Sequence, residues 1–274
     1  MKQLTVRALS AILAGLLFLG SYLFGGNHGL LILCLALMGI GALEFSGLGL
    51  NKFGIPFSTP LFVLTSLVLL SSSVFFSAQS LPIWALGIAT YITALVWLTR
   101  NKVKTSSLMG LFSLSGIGFI YCALLPATAL KLLLLPHGAA WFLNLLLIVF
   151  FGDTFAYFFG RYLGRRKLME QLSPKKTVAG AWGGLLGSMI AAVGMWKFGL
   201  HYVNPVHLIL IALAANIFAQ TGDLFESLMK RVANVKDSGA IMPGHGGVLD
   251  RLDGVLFAAP VVFAYSYFIS LPRL

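Results

Sequence analysis

Residues 138–160 read GAAWFLNLLLIVFFGDTFAYFFG and contain a single charged residue, Asp153. A run of this length, wound as an α-helix at about 1.5 Å per residue, can cross a hydrocarbon layer of roughly 30 Å. Similar runs recur along almost the whole chain, which is 58% hydrophobic and 10% charged and has a mean hydropathy of +0.92. Soluble domains do not have this composition. The sequence therefore predicts an all-α, polytopic bundle of membrane-spanning helices.

The apolar runs predict about nine transmembrane helices. They fall at residues 6–25, 29–48, 57–77, 82–99, 107–128, 138–160, 181–200, 205–229 and 254–271. The first run is too long for a signal-peptide core and no small-residue cleavage site follows it. We therefore expect it to be retained as a helix, with the mature protein beginning near Met1.

The basic residues predict the orientation of these helices, because Lys and Arg in short loops collect on the cytoplasmic side. With the N-terminus inside, all 19 Lys and Arg residues except Lys131, Lys197 and Arg273 fall on that side. The net charge of +11 is then a feature of the cytoplasmic face, where it attracts anionic lipid headgroups and nucleotides. Nucleic-acid binding is not needed to explain it.

The acidic residues divide the chain into two regions. Residues 1–137 contain only Glu44, whereas residues 138–274 contain all the other Asp and Glu residues. We therefore predict an N-terminal transmembrane region over 1–137 and a catalytic transmembrane region over 138–274. Two loops rich in Gly, Pro, Lys, Arg and Asp, residues 161–180 and 231–253, lie on the predicted cytoplasmic side, and we expect them to converge on one site.

Carboxylates inside transmembrane segments cost roughly 2.5–3.5 kcal/mol on insertion scales and mark functional sites by default. Asp153, Asp223 and Glu226 meet this criterion. On the eighth predicted span, helical periodicity places four side chains in one stripe of metal ligands, a hydroxyl and a cation: Asp223, Glu226, Ser227 and Lys230. A buried ion pair from Asp223 or Glu226 to Lys230, which holds helices together, is the structural alternative.

Residues 237–253 read DSGAIMPGHGGVLDRLD, a composition that neither a helix nor a strand favours. The glycines permit positive φ and close backbone approach, as in loops that cradle phosphates. Lys236 and Arg251 are suited to phosphate oxygens, and Asp250 and Asp253 offer hard oxygen ligands for Mg²⁺. A plain re-entrant or surface loop is the alternative, but it needs no such concentration of Asp beside Gly.

The segment Ser173–Thr177 reads SPKKT, and its paired lysines, Lys175 and Lys176, form a candidate phosphate clamp with the flanking hydroxyls. Paired lysines at the inner membrane face are also a common topology signal, and both interpretations stay open. The glycines that follow, at 180, 183, 184 and 187, form a small-residue pattern that permits close helix packing.

The C-terminal part of the chain resembles the bacterial phosphatidate cytidylyltransferases, also called CDP-diacylglycerol synthases. Their signature S-x-x-K-R-x(4)-K-D-x-G-x(3)-P-G-H-G-G-x-x-D-R-x-D is matched without a gap from Ser227 to Asp253. Gly222–Glu226 matches the family's G-D-x-x-E segment, and Asp153–Tyr157 and Ser173–Thr177 resemble two upstream motifs. The specific resemblance covers about the last 120 residues, with one departure at 179, where alanine replaces the usual Glu or Gln.

The resemblance implies a nine-helix enzyme of the bacterial inner membrane that transfers the cytidylyl group of CTP to phosphatidic acid at the cytoplasmic face. It implies Mg²⁺ as a cofactor, with Asp223 and Asp250 as the best candidate ligands and Asp253 as the next. It also implies K⁺ as a second cation. The catalytic residues are expected to be Asp223, Asp250, Lys230 and Asp253. The substrate-binding residues are expected to be Ser173, Lys175, Lys176, Ser227, Arg231, Lys236, Asp237, His245, Gly246, Gly247 and Arg251.

The expected partners are CTP, phosphatidic acid and membrane lipids, with no nucleic acid, and a homodimer is left open. A phosphate monoester is already nucleophilic near neutral pH, so His245 is at least as well suited to phosphate contact or a structural hydrogen bond as to general-base catalysis. The rival functions are another CTP-dependent lipid enzyme, such as a polyprenol kinase or an archaeal-type CDP-lipid synthase, and an ion-coupled transporter that uses Asp153 and Asp223. A transporter has no need for phosphate-type loops at the surface.

Overall fold

The computed structural model describes residues 2–53, 55, 57–76, 80–99, 104–241 and 246–270, with side chains from residue 10 onward except at 11, 105 and 106. In this part of the chain, eight helices are long and apolar enough to cross a membrane. The predicted all-α, polytopic membrane fold is confirmed. Of the basic residues used to predict orientation, Arg100, Lys102 and Arg273 lie outside the described residues.

The secondary structure consists of helices and one short β-hairpin. The helices are α1 (Lys2–Gly49), α2 (Ser58–Phe75), α3 (Ser80–Thr99), α4 (Thr105–Phe119), α5 (Leu125–Leu132), α6 (Gly138–Leu163), α7 (Val178–Phe198), α8 (Pro205–Ala233) and α9 (Leu249–Ser270). Strands β1 (Lys167–Met169) and β2 (Ser173–Thr177) lie between α6 and α7. A 3-10 turn, Leu50–Phe53, follows α1, and a π-helical turn, Ile120–Leu124, joins α4 to α5 within one span.

The first span contains two of the predicted transmembrane helices. It runs from Ile12 to Phe53, 42 residues. As an unbroken helix it would measure about 63 Å, twice the roughly 30 Å hydrocarbon layer. Gly26 breaks the helix with φ 55 and ψ −141, a left-handed conformation that favours glycine. The break lies between the predicted runs 6–25 and 29–48, which explains eight continuous spans where about nine were predicted.

The chain divides into two compact units. Unit 1 comprises Met1–Leu130 together with Ala233–Arg251, and unit 2 comprises Lys131–Val232 together with Leu252–Leu274. The segment that follows α8 therefore belongs with the N-terminal helices, although it is distant from them in sequence. The assignment of catalysis to residues 138–274 stays a prediction.

Aromatic packing holds the helices of unit 1 together. Phe62 of α2 stacks on Phe45 of α1 at 5.7 Å and on Phe119 of α4 at 5.2 Å between ring centroids. Tyr91 of α3 meets the Phe119 ring edge-on at 5.0 Å. Gly118 leaves the space for this cluster, because a Cβ there would lie 2.6 Å from both the Phe45 and Phe62 rings. Four helices thus share one core.

Close backbone packing joins α6 and α7 in unit 2. The glycines at 180, 183, 184 and 187 of α7 are all buried. A Cβ on Gly183 would lie 2.5 Å from the Phe159 Cβ, and one on Gly187 would lie 2.5 Å from the Phe151 carbonyl oxygen. The predicted small-residue packing surface is confirmed, because only glycine permits this approach.

Both predicted polar loops are shorter than expected. The 161–180 loop contains the antiparallel hairpin of β1 and β2, in which Lys167 pairs with Thr177. Sequence patterns missed it because the strands are short and mostly exposed, with no apolar alternation. The 231–253 loop is ordered as helix at both ends, so Asp250, Arg251 and Asp253 lie in the first turns of α9. Acidic residues are favourable at a helix N-terminus, which the loop prediction overlooked.

Candidate functional site

A cavity of ≈ 330 Å³ lies in unit 2 between α6, the hairpin, α7 and α8. Its charged wall is formed by five side chains, two acidic and three basic: Asp153, Asp223, Arg161, Lys175 and Lys176. The carboxylates of α6 and α8 and the predicted lysine pair therefore line one cavity, whereas the expected convergence of the 161–180 and 231–253 loops stays a prediction. The cavity is large enough to hold phosphate groups and it carries both the cations that bind them and the anions that bind metal ions.

Lys176 reaches the cavity because of the way β2 ends. Thr177 caps α7: its Oγ1 accepts a hydrogen bond from the Gly180 amide at 3.1 Å. The cap fixes the turn from strand to helix. One residue earlier, Lys176 places its Nζ 2.6 Å from Asp223 Oδ2 of α8. The two side chains keep 24% and 40% of their surface exposed, while the Lys176 Nζ atom itself is buried against the carboxylate.

The last turns of α6 supply a second basic group. Arg161 donates a hydrogen bond from Nη1 to the Tyr157 hydroxyl at 2.8 Å, and Asp153 lies one turn before Tyr157. All three line the cavity. Asp153 and Tyr157 thus share one face of α6. Arg161 is a cavity residue that the sequence analysis treated only as a topology signal, although its spacing from Tyr157 was visible.

Carboxylates from three helices approach one another in unit 2. Asp253 of α9 is half-buried and interacts electrostatically with Asp223 and Glu226 of α8 and with Asp153 of α6. Gly222 makes this approach possible, since a Cβ there would lie 2.5 Å from the Asp253 carbonyl oxygen. The close packing of α8 on α9 therefore explains why a glycine precedes Asp223.

Glu226 and Lys230 form the ion pair that was the structural alternative for this stripe. Lys230 Nζ donates to Glu226 Oε2 at 2.5 Å, and Glu226 is 2% exposed. Both residues belong to α8, so the pair lies along one helix and does not join two. Asp223 is paired with Lys176 instead of Lys230. The stripe thus separates into an intrahelical pair and a cavity-facing carboxylate.

The acidic group of unit 2 fits a divalent cation by its chemistry and charge. Asp153, Asp223 and Asp253 are hard oxygen donors of the kind that Mg²⁺ prefers, and their mutual repulsion favours a cation between them. Among the described residues, no three His, Cys, Asp or Glu side chains already converge as a complete metal site. Asp223 Oδ2 is occupied by Lys176 in this arrangement.

Asp250 has a different environment, in unit 1. Its Oδ2 accepts three hydrogen bonds, from the Gly247 amide at 2.7 Å, the Ser238 amide at 2.9 Å and the Ser238 hydroxyl at 3.0 Å. Gly246 has a φ of +82, and a Cβ there would lie 2.5 Å from the same oxygen. The close backbone approach predicted for these glycines is confirmed. In the structure it serves Asp250, and a phosphate-cradling role stays a prediction.

The other predicted residues are distributed along the same elements. Ser173 begins β2 and Ser227 lies on α8, both half-buried, while Arg231, Lys236, Asp237 and Arg251 are exposed. None of these described residues lines the unit 2 cavity. Gly247 is buried, and His245 lies outside the described residues.

The residue that sequence reasoning missed is Glu44. It is 7% exposed on α1, and its carboxylate accepts hydrogen bonds from the Val248 and Leu249 amides, each at 3.0 Å. It was passed over because it stands alone in the N-terminal half. The signal that marks it is a carboxylate inside a predicted span, the same criterion that identified Asp153.

The fold and these polar groups define a helical membrane protein with a charged cavity suited to phosphate-bearing ligands. Comparison with known proteins gives a more specific identity. A model of the cytidylyltransferase family matches residues 5–269. The phosphatidate cytidylyltransferase of Staphylococcus haemolyticus is 34% identical over 94% of this chain and 96% of its own length, and that of Staphylococcus epidermidis is 35% identical over the same shares. The Bacillus subtilis protein of that name is 40% identical over 46% of this chain and 47% of its own.

The chain belongs to the cytidylyltransferase family. The family that the signature residues predicted is confirmed, and the match extends through the N-terminal helices, beyond the last 120 residues or so that carried the predicted resemblance.

Proposed function

We propose that this protein transfers the cytidylyl group of CTP to phosphatidic acid, giving CDP-diacylglycerol and pyrophosphate for phospholipid synthesis. The observation that carries the proposal is the unit 2 cavity, where Lys176 and Asp223 form an ion pair beside Arg161 and Lys175. The names of the family relatives support the choice of substrates. They favour it over a polyprenol kinase or an archaeal-type synthase.

The reaction exchanges one phosphoanhydride bond for another. An oxygen of the phosphatidic acid phosphate attacks the α-phosphorus of CTP, and the bond from that phosphorus to the oxygen of the β-phosphate breaks. Pyrophosphate leaves with the bonding electrons. No protein nucleophile is needed, so catalysis depends on orientation and on neutralising the charge of the transferring group.

The basic side chains of the cavity supply part of that neutralisation. Lys176 is fixed by the Thr177 cap and Arg161 by the Tyr157 hydroxyl, so both cations are positioned before substrate binds. When a phosphate takes the place of Asp223 as the partner of Lys176, the carboxylate is released to bind a cation. The ion pair thus compensates the charges of Lys176 and Asp223 within the cavity wall.

Asp223 and Asp253 would hold Mg²⁺ in unit 2, and Asp250 remains a predicted ligand. Bound Mg²⁺ would neutralise the negative charge on the nucleotide phosphates. The K⁺ requirement, which only the family resemblance implies, is tested by replacing K⁺ with Na⁺ in the assay.

A proposed topology completes this function: a cytoplasmic N-terminus and a cavity open to the cytoplasm in the bacterial inner membrane, where CTP is available. The asymmetry of the basic residues supports it. The mass of the protein in its detergent complex decides whether it forms the homodimer that the sequence left open.

The deciding experiment incubates the purified protein in detergent with labelled CTP, Mg²⁺ and phosphatidic acid. The expected products are labelled CDP-diacylglycerol and an equal amount of pyrophosphate. Release of pyrophosphate without a cytidylylated lipid would contradict the proposal. So would the formation of labelled polyprenyl phosphate in a parallel incubation with γ-labelled CTP and a polyprenol in place of phosphatidic acid. A transporter would give no product, and would move an ion across a vesicle membrane.

A further inference from the structure

Glu44 is a buried carboxylate whose hydrogen bonds all lead to one distant segment of the chain. Its side chain lies on α1, inside a membrane span, where an unpaired charge is costly. Its oxygens accept from the Val248 amide, the Leu249 amide and the Ser238 hydroxyl, at 3.0, 3.0 and 3.2 Å. All of these partners lie in the segment between α8 and the start of α9, which follows α1 by most of the chain.

The two amides belong to the beginning of α9. The first N–H groups of a helix have no partner within the helix and carry partial positive charge, so a carboxylate is the favoured acceptor there. Glu44 therefore caps α9 from another helix. Leu249 also packs on α1, because a Cβ on Gly41 would lie 3.0 Å from its Cδ2. Polar and apolar contacts thus hold the same turn.

The glycines on either side of this turn leave room for the Glu44 carboxylate. A Cβ on Gly239 would lie 2.7 Å from the Glu44 Cδ, and one on Gly247 would lie 2.6 Å from Glu44 Oε1 and would also collide with the Ser238 hydroxyl. Larger residues at either position would displace the carboxylate. Close packing against Glu44 therefore explains why both signature positions are glycine, independently of any phosphate binding.

Ser238 connects Glu44 to Asp250. Its hydroxyl lies 3.2 Å from Glu44 Oε2 and 3.0 Å from Asp250 Oδ2, within donor range of both carboxylates. A hydroxyl has one hydrogen to donate, so the two carboxylates share it. The Ser238 amide also donates to Asp250. A change in the charge or position of Glu44 is therefore transmitted to Asp250 through a single residue.

We propose that Glu44 is a positioning residue, which fixes the start of α9 and, through Ser238, sets the orientation of the Asp250 carboxylate. Its kinetic consequence rests on the proposed function, in which Asp250 acts at the nucleotide phosphates. Its structural consequence does not, because the order of the 238–250 segment can be measured without substrate.

The test compares Glu44→Gln with Glu170→Gln, a matched change of an exposed glutamate in the β1–β2 turn. Glutamine can accept from only one of the two amides and presents an N–H to the other. Amide hydrogen exchange at Gly247–Leu249 in detergent is expected to rise by about tenfold or more in Glu44→Gln. Glu170→Gln is expected to leave it unchanged. Unaltered exchange in Glu44→Gln would overturn the proposal, whether or not the wild type makes CDP-diacylglycerol.

Kinetics separate positioning from general stability. In correctly inserted Glu44→Gln protein, kcat is expected to fall about tenfold or more while KM for CTP and for phosphatidic acid stays within about twofold. The double variant, Glu44→Gln with Ser238→Ala, should lose little more kcat than the more impaired of the two single variants, because both changes act through the same contact. Additive losses, or a loss confined to KM, would reject the route through Ser238.

Two further variants keep the test decisive if Glu44→Gln fails to insert. Ser238→Ala removes only the shared hydroxyl and keeps the hydrogen bond from the residue 238 backbone amide to Asp250. It should also raise amide exchange and lower kcat. Gly247→Ala should also raise amide exchange and lower kcat, because its Cβ would displace the Glu44 carboxylate. Gly47→Ala is its control on α1, since a Cβ there meets nothing within 4 Å. Wild-type exchange and kcat in both Ser238→Ala and Gly247→Ala would overturn the proposal.

Discussion

Lys176 Nζ lies 2.6 Å from Asp223 Oδ2, so a strand of the hairpin and a membrane-spanning helix meet in an ion pair in the cavity wall. Lys176 belongs to the predicted phosphate clamp, and Asp223 belongs to the predicted stripe of metal ligands. Pairing holds both side chains, each of which is partly exposed, in the wall of the cavity.

Lys176→Gln is expected to lower kcat/KM for CTP or phosphatidic acid by tenfold or more, the scale of a charge-assisted hydrogen bond at about 1.5–3 kcal/mol. Lys175→Gln is expected to show the same effect if both lysines bind phosphate, since both line the cavity. Steady-state kinetics on purified variants give the comparison. Normal insertion with unchanged kcat/KM in the double Gln variant would mean that the pair is only a topology signal.

Asp223→Asn and Asp250→Asn are each expected to abolish turnover while the protein still folds, because both residues are predicted to hold Mg²⁺. Removing Mg²⁺ by chelation should have the same effect. Glu170→Gln serves as the control for loss of one exposed negative charge. More than about a tenth of wild-type activity in both Asn variants, a loss below ~1.4 kcal/mol, would remove them from the metal role.

Gly183→Ala is expected to destabilise the packing of α6 against α7, because the new Cβ would lie 2.5 Å from the Phe159 Cβ. Overpacking of this kind costs about 1–3 kcal/mol. Gly194→Ala is the matched control on α7, where a Cβ meets nothing within 4 Å, and it should be neutral or slightly stabilising. Thermal unfolding in detergent measures both. Equal midpoints for the two variants would contradict the close packing.

Thr177→Ala is expected to destabilise the junction of β2 and α7 by about 1 kcal/mol, because the Gly180 amide loses its capping oxygen. Activity should fall as well, since Lys176 is the residue immediately before the cap. Thr177→Ser keeps the hydroxyl and should retain both properties. A serine variant as impaired as the alanine variant would show that the methyl group, and not the cap, is what matters.

Labelling of single cysteines decides the proposed orientation. In a background without Cys34 and Cys122, Glu170→Cys in the hairpin should resist an impermeant thiol reagent in intact cells and react once the cells are permeabilised. His201→Cys, between α7 and α8, should react in intact cells. Both native positions are exposed, so access through the membrane is the variable that is measured. The reverse pattern would invert the topology.

The sequence by itself determined the membrane class, the positions of nearly all the helices and the family. These properties follow from local features: apolar length sets a membrane span, glycine spacing permits close packing of α6 on α7, and the signature from Ser227 to Asp253 is read position by position. The two-strand hairpin was missed because strand pairing of short polar segments leaves no periodic pattern.

Only the tertiary structure decided which charged groups meet. Whether Glu226 or Asp223 pairs with Lys230 cannot be read from one helical stripe, because Lys176 competes for Asp223 from a distant element. The role of Glu44 depends in the same way on α1 lying beside the start of α9 within unit 1. Electrostatic and hydrogen-bond partners are set by distance in space, and for a buried carboxylate the partner determines its function.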